Sequence, residues 1–528
     1  MPAETLQVGR CAPRVLVVDN KPEFRALLKD LLLGYDVTAV EAQWPEIVTS
    51  AENLARKVRP HVIIFDLKLK PAVLEADRTG LELLQNPIMT SAKRILYSAY
   101  LRDDFRISVD ATAAGAVAVI EKAEMEHLVT AVTKAADSHC ACRKAFSSNW
   151  PPGWTPDLIV RTLFGDDTDV PSSIVEEVLC QLFSDADSVT LTELADAGDA
   201  PTPFVAGRSI VFQARSHDRE PVIIKLAPSG RIDREVAAYK TFVTHRLRGN
   251  YFPQLQGHAT FWDLGAISYA LIGSSSNVHT FASFYRRESD LTDIVQPLRH
   301  FFMQVWYSNY RAPGTITPLA ASYNRIVRLH QRVESFAHAV DLAFPEIGKT
   351  FPHPGRWVLE HLDESGGVRE VICHGDFNAD NLLVDDGRAW PIDFERTGRG
   401  PITCDPGELE QDILTRVVQL VPDDWQSFLD LLVAVTAPRD LRESIVLPVS
   451  IASNPEATKA SQVIEKLRAL VFEASGPVDV REYYWALLLH ALVAATVLGD
   501  GSAQGRRRWL LAAVVCQRLA DLSVVAGA

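Results

Sequence analysis

The sequence predicts an α/β domain built on a five-stranded parallel sheet, then an α+β region that closes in a long helical stretch. Three observations predict it. Short β-branched runs alternate with segments of helical spacing from residue 14 to about residue 136. Near residue 189 the pattern changes to strands around one helix. Beyond about residue 280 the apolar residues recur mostly at helical spacing, interrupted once by a polar, strand-flanked segment. In a chain of 528 residues a single core is not expected, because chains divide into domains of roughly 50–250 residues.

The first five runs are RVLVV (14–18), DVTAV (36–40), HVIIF (61–65), RILYS (94–98) and AVAVI (116–120). Strands that are apolar throughout are covered on both faces, which places them in a parallel sheet between helices. Phe24, Leu27, Leu28, Leu31 and Leu32 supply the helical spacing between the first two runs. Five such units make a small doubly wound domain. NWPPGWTPD (149–157) reads as a linker, because Pro neither continues a helix nor donates to a sheet. PSSIVEEVLCQLF (171–183) reads as a helix opened by Pro171. VTLTELA (189–195), SIVFQARS (209–216) and EPVIIKLA (220–227) read as antiparallel strands, and REVAAYKTFVTHRL (234–247) as their helix. The expected segments are 1–138, a linker with a connecting helix over 139–188, a strand-rich lobe over 189–275, and a helical lobe with its extension over 276–528.

Hydrophobic content of 47% with 23% charged residues is that of a globular protein. The net charge of −14 argues against a nucleic-acid footprint or attachment to anionic lipid. No apolar signal segment is visible at the N-terminus. YYWALLLHALVAATVL (483–498) is short for a spanning helix and carries His490, so a buried core helix is expected rather than a membrane anchor. The seven cysteines are scattered and odd in number, which suits free thiols in a reducing cytoplasm. His139, Cys140 and Cys142 have no second ligand cluster and read as a helix end, not a metal fragment. RRR (506–508) reads as a solvated helix start.

In an open α/β sheet, functional groups collect at the carboxyl ends of strands. Those ends carry Asp19 and Asn20, Asp66, Ser98, and Lys122 just past the last strand. Two or three oxygens suit Mg²⁺, which keeps several waters, and a hydroxyl with an ammonium suits phosphoryl oxygens. LVVDN (16–20), FDLKLKP (65–71), YSA (97–99) and IEK (120–122) together resemble the receiver domain of bacterial response regulators, over roughly residues 13–136. The resemblance implies a flavodoxin-like fold with Asp66 as phospho-acceptor. It also implies Mg²⁺ held by Asp19 and Asp66, and phosphate contacts from Ser98 and Lys122. Two departures stand out: Asn20 replaces the usual second acid, and Val119 the usual switch aromatic.

The polar segment VICHGDFNADNLLVDDGRAWPIDFE (371–395) carries His374, Asp376 and Asn381 at the spacing H-x-D-x-x-x-x-N, with Asp393 after a second apolar run. Phosphoryl transfer needs a lysine on nucleotide phosphates, acidic or amide metal ligands, and a carboxylate near the attacking hydroxyl. Lys225 ends the run PVIIK, and Glu235 on the following helix is placed to pair with it. LLV and WPI are expected to form a hairpin across DDG (385–387), bringing Asn381 and Asp393 together.

HGDFNADN resembles the catalytic loop of the aminoglycoside phosphotransferase and choline kinase branch of the protein-kinase-like fold. Gly375 stands where protein kinases carry arginine, and IDFE (392–395) where they carry D-F-G. GPITCDPGELEQDI (400–413) is similar to that branch's stretch after the metal-binding acid, with Asp405 as a structural anchor. The resemblance covers roughly residues 189–415. It implies a bilobal fold in which Asp376 is the catalytic base and Asn381 and Asp393 bind Mg²⁺. Lys225 would hold ATP phosphates with Glu235 as its partner, and ISYALIG (267–273) would lead into the hinge that meets adenine. ADAGDAPTPFVAGRS (195–209) stands where the nucleotide-covering loop belongs, without G-x-G-x-x-G.

The expected function is a cytoplasmic ATP- and Mg²⁺-dependent phosphotransferase under receiver control, with a sensor histidine kinase or other phosphodonor acting on Asp66. The acceptor is an unidentified hydroxyl-bearing small molecule or protein. The alternative is a catalytically weak or inactive kinase-like scaffold that docks partner proteins under receiver control.

Overall fold

The computed structural model describes residues 12–70, 77–101, 104–139, 141–193, 209–217, 219–247, 252–271, 278–420, 424–498 and 502–526. The chain forms two compact units. The first comprises Met1–Ala197, Thr202–Asp233 and Leu255–Ala270; the second comprises Gly198–Pro201, Arg234–Gln254 and Leu271–Ala528.

All five strands expected at the start of the chain are present: β1 (Arg14–Val18), β2 (Asp36–Ala39), β3 (Val62–Phe65), β4 (Lys93–Ser98) and β5 (Ala116–Glu121). They pair in parallel in the order β2-β1-β3-β4-β5. Their helices are α1 (Pro22–Leu31), α2 (Ile47–Val58), α3 (Thr79–Leu84), α4 (Arg106–Ala113) and α5 (Met125–His139). Alternate strand residues enter different cores. Leu16, Val18, Ile63, Phe65 and Leu96 pack with α2, α3 and α4. Val15, Val17, Val62, Ile64, Ile95 and Tyr97 pack with residues of α1 and α5. Two buried faces are why these strands read as unbroken apolar runs.

The same unit holds a second sheet. Its strands are β6 (Ser147–Asn149), β7 (Ser188–Thr192), β8 (Ile210–Arg215), β9 (Val222–Pro228), β10 (Leu255–Phe261) and β11 (Leu264–Ala270), in the order β10-β11-β9-β8-β7-β6. Every neighbouring pair is antiparallel except β6 and β7, which run parallel. The proline-rich stretch opens a helix, α6 (Pro156–Phe164). Pro156 takes its first turn, and the Thr155 hydroxyl accepts the Leu158 N–H. α6 and the next helix, α7 (Ser173–Leu182), place Ile159, Leu163, Ile174 and Val178 in one core with Phe212 and Ile224 of the sheet. The expected linker residues therefore build this sheet's core.

Arg59, left-handed at φ 50° after α2, ties the two sheets of the first unit together. Its Nε meets Asp263 Oδ2 at 2.5 Å and its Nη1 donates to the Asp169 carbonyl at 3.2 Å. Two residues on, His61 Nδ1 accepts the Arg14 N–H at 2.9 Å, and its Nε2 lies 2.9 Å from Glu177 on α7.

In the second unit, the three strands Thr315–Pro318, Gly367–Cys373 and Gly398–Pro401 form an antiparallel sheet centred on Gly367–Cys373. The expected hairpin across DDG is present as Leu382–Asp385 and Arg388–Pro391. Helix Val480–Leu498 contains the apolar run and is buried along Tyr483–Leu492. A helix apolar on all sides belongs in a core, and it packs on helix Cys404–Asp412. There a Cβ on Gly407 would stand 2.9 Å from Ala486 Cβ. Among the described residues no helix is long and apolar enough to cross a membrane. The RRR expectation needs correction. It does lie at the start of a helix, Ala503–Ala526, but half-buried. Arg506 pairs with Glu346 at 2.5 Å and lies over the Trp425 ring, and Arg507 lies over Phe428. Long aliphatic stems let a charged run cover apolar surface.

Candidate functional site

At the carboxyl ends of β1, β3 and β5, Asp19, Asp66 and Lys122 form one buried cluster. Lys122 Nζ lies 2.5 Å from Asp19 Oδ2 and 3.1 Å from Asp66 Oδ2. Backbone amides orient both acids: Lys21 N–H donates to Asp19 Oδ1 at 2.8 Å and Leu67 N–H to Asp66 Oδ1 at 2.9 Å. Burial pushes the Asp66 carboxyl up to about 6, with Lys122 opposing and Asp19 adding to the rise. Burial thus outweighs the ion pair. Gly80 at the start of α3 permits close packing, since a Cβ there would stand 2.1 Å from the Asp66 carbonyl oxygen. Ser98 Oγ and Asn20 Oδ1 are buried without a hydrogen-bond partner. Pro71, the last residue of the expected FDLKLKP motif, lies outside the described residues.

In the second unit, HGDFNADN leaves strand Gly367–Cys373 and is held by one helix. Three carboxylates of Cys404–Asp412, at positions i, i+3 and i+7, accept amides of the loop. Asp405 takes His374 N–H and Gly375 N–H, each at 2.9 Å. Glu408 takes Phe377 N–H at 2.8 Å, and Asp412 takes Ala379 N–H at 2.9 Å. Tyr310 donates its hydroxyl to Asp405 at 2.7 Å. Asp405 is fully buried and is the anchor that the sequence implied. His374 is also fully buried, among Trp306, Phe377 and Phe394. Burial lowers its pKa, so it is a neutral packing residue. Gly375 has φ of 80°, and a Cβ there would stand 2.4 Å from the Arg396 carbonyl oxygen; both facts require glycine.

Asp376 and Asn381 are in direct contact. Asn381 Nδ2 donates to the Asp376 carbonyl at 2.8 Å and to Asp376 Oδ2 at 3.2 Å. The Asn381 carbonyl in turn accepts Ile392 N–H at 2.9 Å, tying the start of the hairpin to the residue before Asp393. Asp393 itself is left-handed at φ 66°. Such a conformation in a non-glycine residue is the kind of strain that collects at functional sites.

Sequence reasoning missed two residues here. Arg396 Nη1 lies 3.1 Å from Asp376 Oδ1, and the charge of Asp376 holds the guanidinium protonated. Glu408 is pushed well up by burial, with the charge of Asp376 adding to the rise. The acidic spacing of Asp405, Glu408 and Asp412 was a readable signal for a helical stripe. Nothing in the sequence pointed to Arg396.

Lys225 lies on β9 in the first unit, 5% exposed, with Ile267 of β11 and Val211 of β8 as its neighbours in register. Glu235, 1% exposed, belongs to the second unit's share of helix Ser229–Ala238, which begins five residues before the expected run. Residues 195–208 of the nucleotide-loop segment, and Ile272 and Gly273 of the hinge segment, lie outside the described residues.

Residues 322–495 match a family model described as Ternary complex associated domain 9. No curated protein matches the chain. Among solved structures, the response regulator domain of Thermotoga maritima CheB is similar at 21% identity, covering 24% of this chain and 96% of that one, with a TM-score of 0.20. A glucosamine kinase in complex with glucosamine, ADP and phosphate is 14% identical over 63% of this chain and 78% of its own, with a TM-score of 0.34. An amicoumacin kinase in complex with AMP-PNP and Ca²⁺ is 11% identical over 63% and 88%, with a TM-score of 0.36. Among the described residues the chain thus carries a five-stranded all-parallel α/β sheet, then mixed and antiparallel sheets, with helices toward its C-terminal end.

Proposed function

We propose that the chain is an ATP- and Mg²⁺-dependent phosphotransferase acting on a hydroxyl of a small molecule or protein. Residues 1–138 serve as its phosphorylatable regulatory input and residues 189–528 as its two catalytic lobes. The observation that carries this reading is Asp376. It is a carboxylate on a loop whose backbone is pinned by three acids of one helix, in contact with Asn381. A pinned carboxylate is what a general base requires, because a misplacement of about 1 Å costs roughly 10²-fold in rate.

In this reading Asp376 accepts the proton of the acceptor hydroxyl, and Arg396, 3.1 Å from its Oδ1, holds the carboxylate in place beforehand. The Asn381 amide nitrogen is committed to Asp376, which leaves its oxygen, with Asp393, to hold Mg²⁺. Lys225 is the lysine proposed to hold nucleotide phosphates. Bound ATP and Mg²⁺ would supply the transferable phosphoryl group and neutralise its charge.

Asp66 receives a phosphoryl group from a sensor histidine kinase or another phosphodonor in the cytoplasm. Asp19 and Asp66 hold Mg²⁺ with the Asn20 amide oxygen beside them, and Ser98 and Lys122 hold the phosphoryl oxygens. The unpartnered Ser98 Oγ and Asn20 Oδ1 fit these roles, since buried polar atoms without partners ask for a ligand or water. Phosphorylation would regulate turnover by its differential interaction with two arrangements of the chain.

A second reading, a signalling scaffold without turnover, is favoured by the Arg396–Asp376 pair, which occupies the base. ADP formation by the purified chain with Mg²⁺, across aminoglycoside, choline, sugar and nucleoside acceptors, separates the two. Turnover is expected with at least one acceptor, and Asp376→Ala is expected to lower it about 10²–10⁴-fold. Equal turnover by the variant would remove Asp376 from the mechanism. Nucleotide binding without turnover would favour the scaffold.

A further inference from the structure

The first unit contains a cavity of about 770 Å³ lined by none of Asp19, Asp66, Ser98, Lys122 or Lys225. It lies where the end of α2, the start of β4 and the turn between β10 and β11 meet. Arg56 and Lys57 of α2 and Lys93 of β4 line it, and none of the three makes an ion pair among the described residues. Two of the three acids in the lining, Asp169 and Asp263, are already engaged by Arg59. Asp233 is left as the remaining acid, so the wall carries a positive excess.

Two buried polar atoms of the same wall lack partners. His139 is 4% exposed and its Nε2 has no hydrogen-bond partner; neither has Gln181 Nε2. A buried polar atom left unsatisfied costs about 1–3 kcal/mol, and a native fold keeps few of them. Burial lowers the His139 pKa to about 3, so the neutral ring offers that nitrogen one hydrogen bond. Trp262 adds an aromatic surface, its Nε1–H donating to the Pro60 carbonyl at 3.1 Å. A cavity of this size falls within the range of small-molecule sites, roughly 300–1,000 Å³.

We propose that this cavity binds a phosphorylated small molecule of up to mononucleotide size. Arg56, Lys57 and Lys93 take the phosphate, and His139, Gln181 and Trp262 meet the remainder. The lining joins residues of the parallel sheet's domain to the β10–β11 turn, so an occupant bridges both sheets of the unit. The proposal does not depend on the phosphotransferase reading.

Calorimetric titration of the full chain with AMP, and separately with inorganic pyrophosphate, tests it. One-site binding is expected, about tenfold or more weaker in Lys93→Ala and in the exposed-site double variant Arg56→Ala/Lys57→Ala. Lys225→Ala is expected to leave that binding unchanged, which separates it from nucleotide held at the kinase-like site. Binding lost in Lys225→Ala but retained in the cavity variants would overturn the proposal. Absence of binding at millimolar concentration would also overturn it and leave the cavity to water.

Discussion

Replacing Asp405 by asparagine probes the joint between the catalytic loop and its supporting helix. The buried carboxylate accepts His374 N–H, Gly375 N–H and the Tyr310 hydroxyl. Each hydrogen bond to a charged acceptor contributes about 1.5–3 kcal/mol. Asparagine keeps one acceptor oxygen. If that oxygen stays with His374 and Tyr310, the new NH₂ faces the Gly375 N–H, donor against donor. One bond is lost and one buried amide is left unsatisfied, a cost of about 2–4 kcal/mol. Hydrogen exchange of peptides covering residues 371–381 reads this locally, and protection is expected to fall about 30- to 1,000-fold. Tyr310→Phe removes one donor without stranding an amide and is expected to cost far less. Unchanged exchange in Asp405→Asn, with an unmoved urea midpoint, would refute the idea that this carboxylate sets the loop.

Arg468 and Glu410 form a fully buried pair, with Nη2 at 2.5 Å from Oε1 and Nε at 2.9 Å from Oε2. Arg468→Met strands the carboxylate and is expected to destabilise by about 3–5 kcal/mol. Arg468→Met/Glu410→Leu should recover much of that loss in urea unfolding. Glu482 is raised to about 7 by burial, with the Thr403 hydroxyl opposing. Because its folded pKa lies above its unfolded one, its contribution is present below about pH 4.5 and lost as pH rises through 7, up to about 3 kcal/mol. Glu482→Gln is therefore expected to unfold at higher urea than wild type at pH 8 but not at pH 4.5. The same difference at both pH values would contradict the assignment.

The parallel sheet was legible because both of its faces are buried, so each strand reads as an unbroken apolar run. The hairpin was legible because DDG marks a turn, and Val480–Leu498 because its apolar residues surround the helix. Strand β6 was not legible: SSN carries no apolar signal, and its place depends on a distant partner, β7. Arg506 and Arg507 were misread because charge alone does not reveal aromatic rings brought up from residues 425 and 428. Asp376 and Asn381 stood out by spacing, and Asp405 through the resemblance of its segment to a known family. The Arg396 contact arises from the close approach that Gly375 permits, which is a property of the backbone path.

The most direct test follows the γ-phosphate of ATP by phosphorus NMR with the full chain, Mg²⁺ and an acceptor found by the ADP screen. The signal is expected to move from ATP to a phosphoester of the acceptor with wild type, and to stay on ATP with Asp376→Asn. Transfer to the acceptor at the wild-type rate in Asp376→Asn would contradict the assignment of this carboxylate as the base.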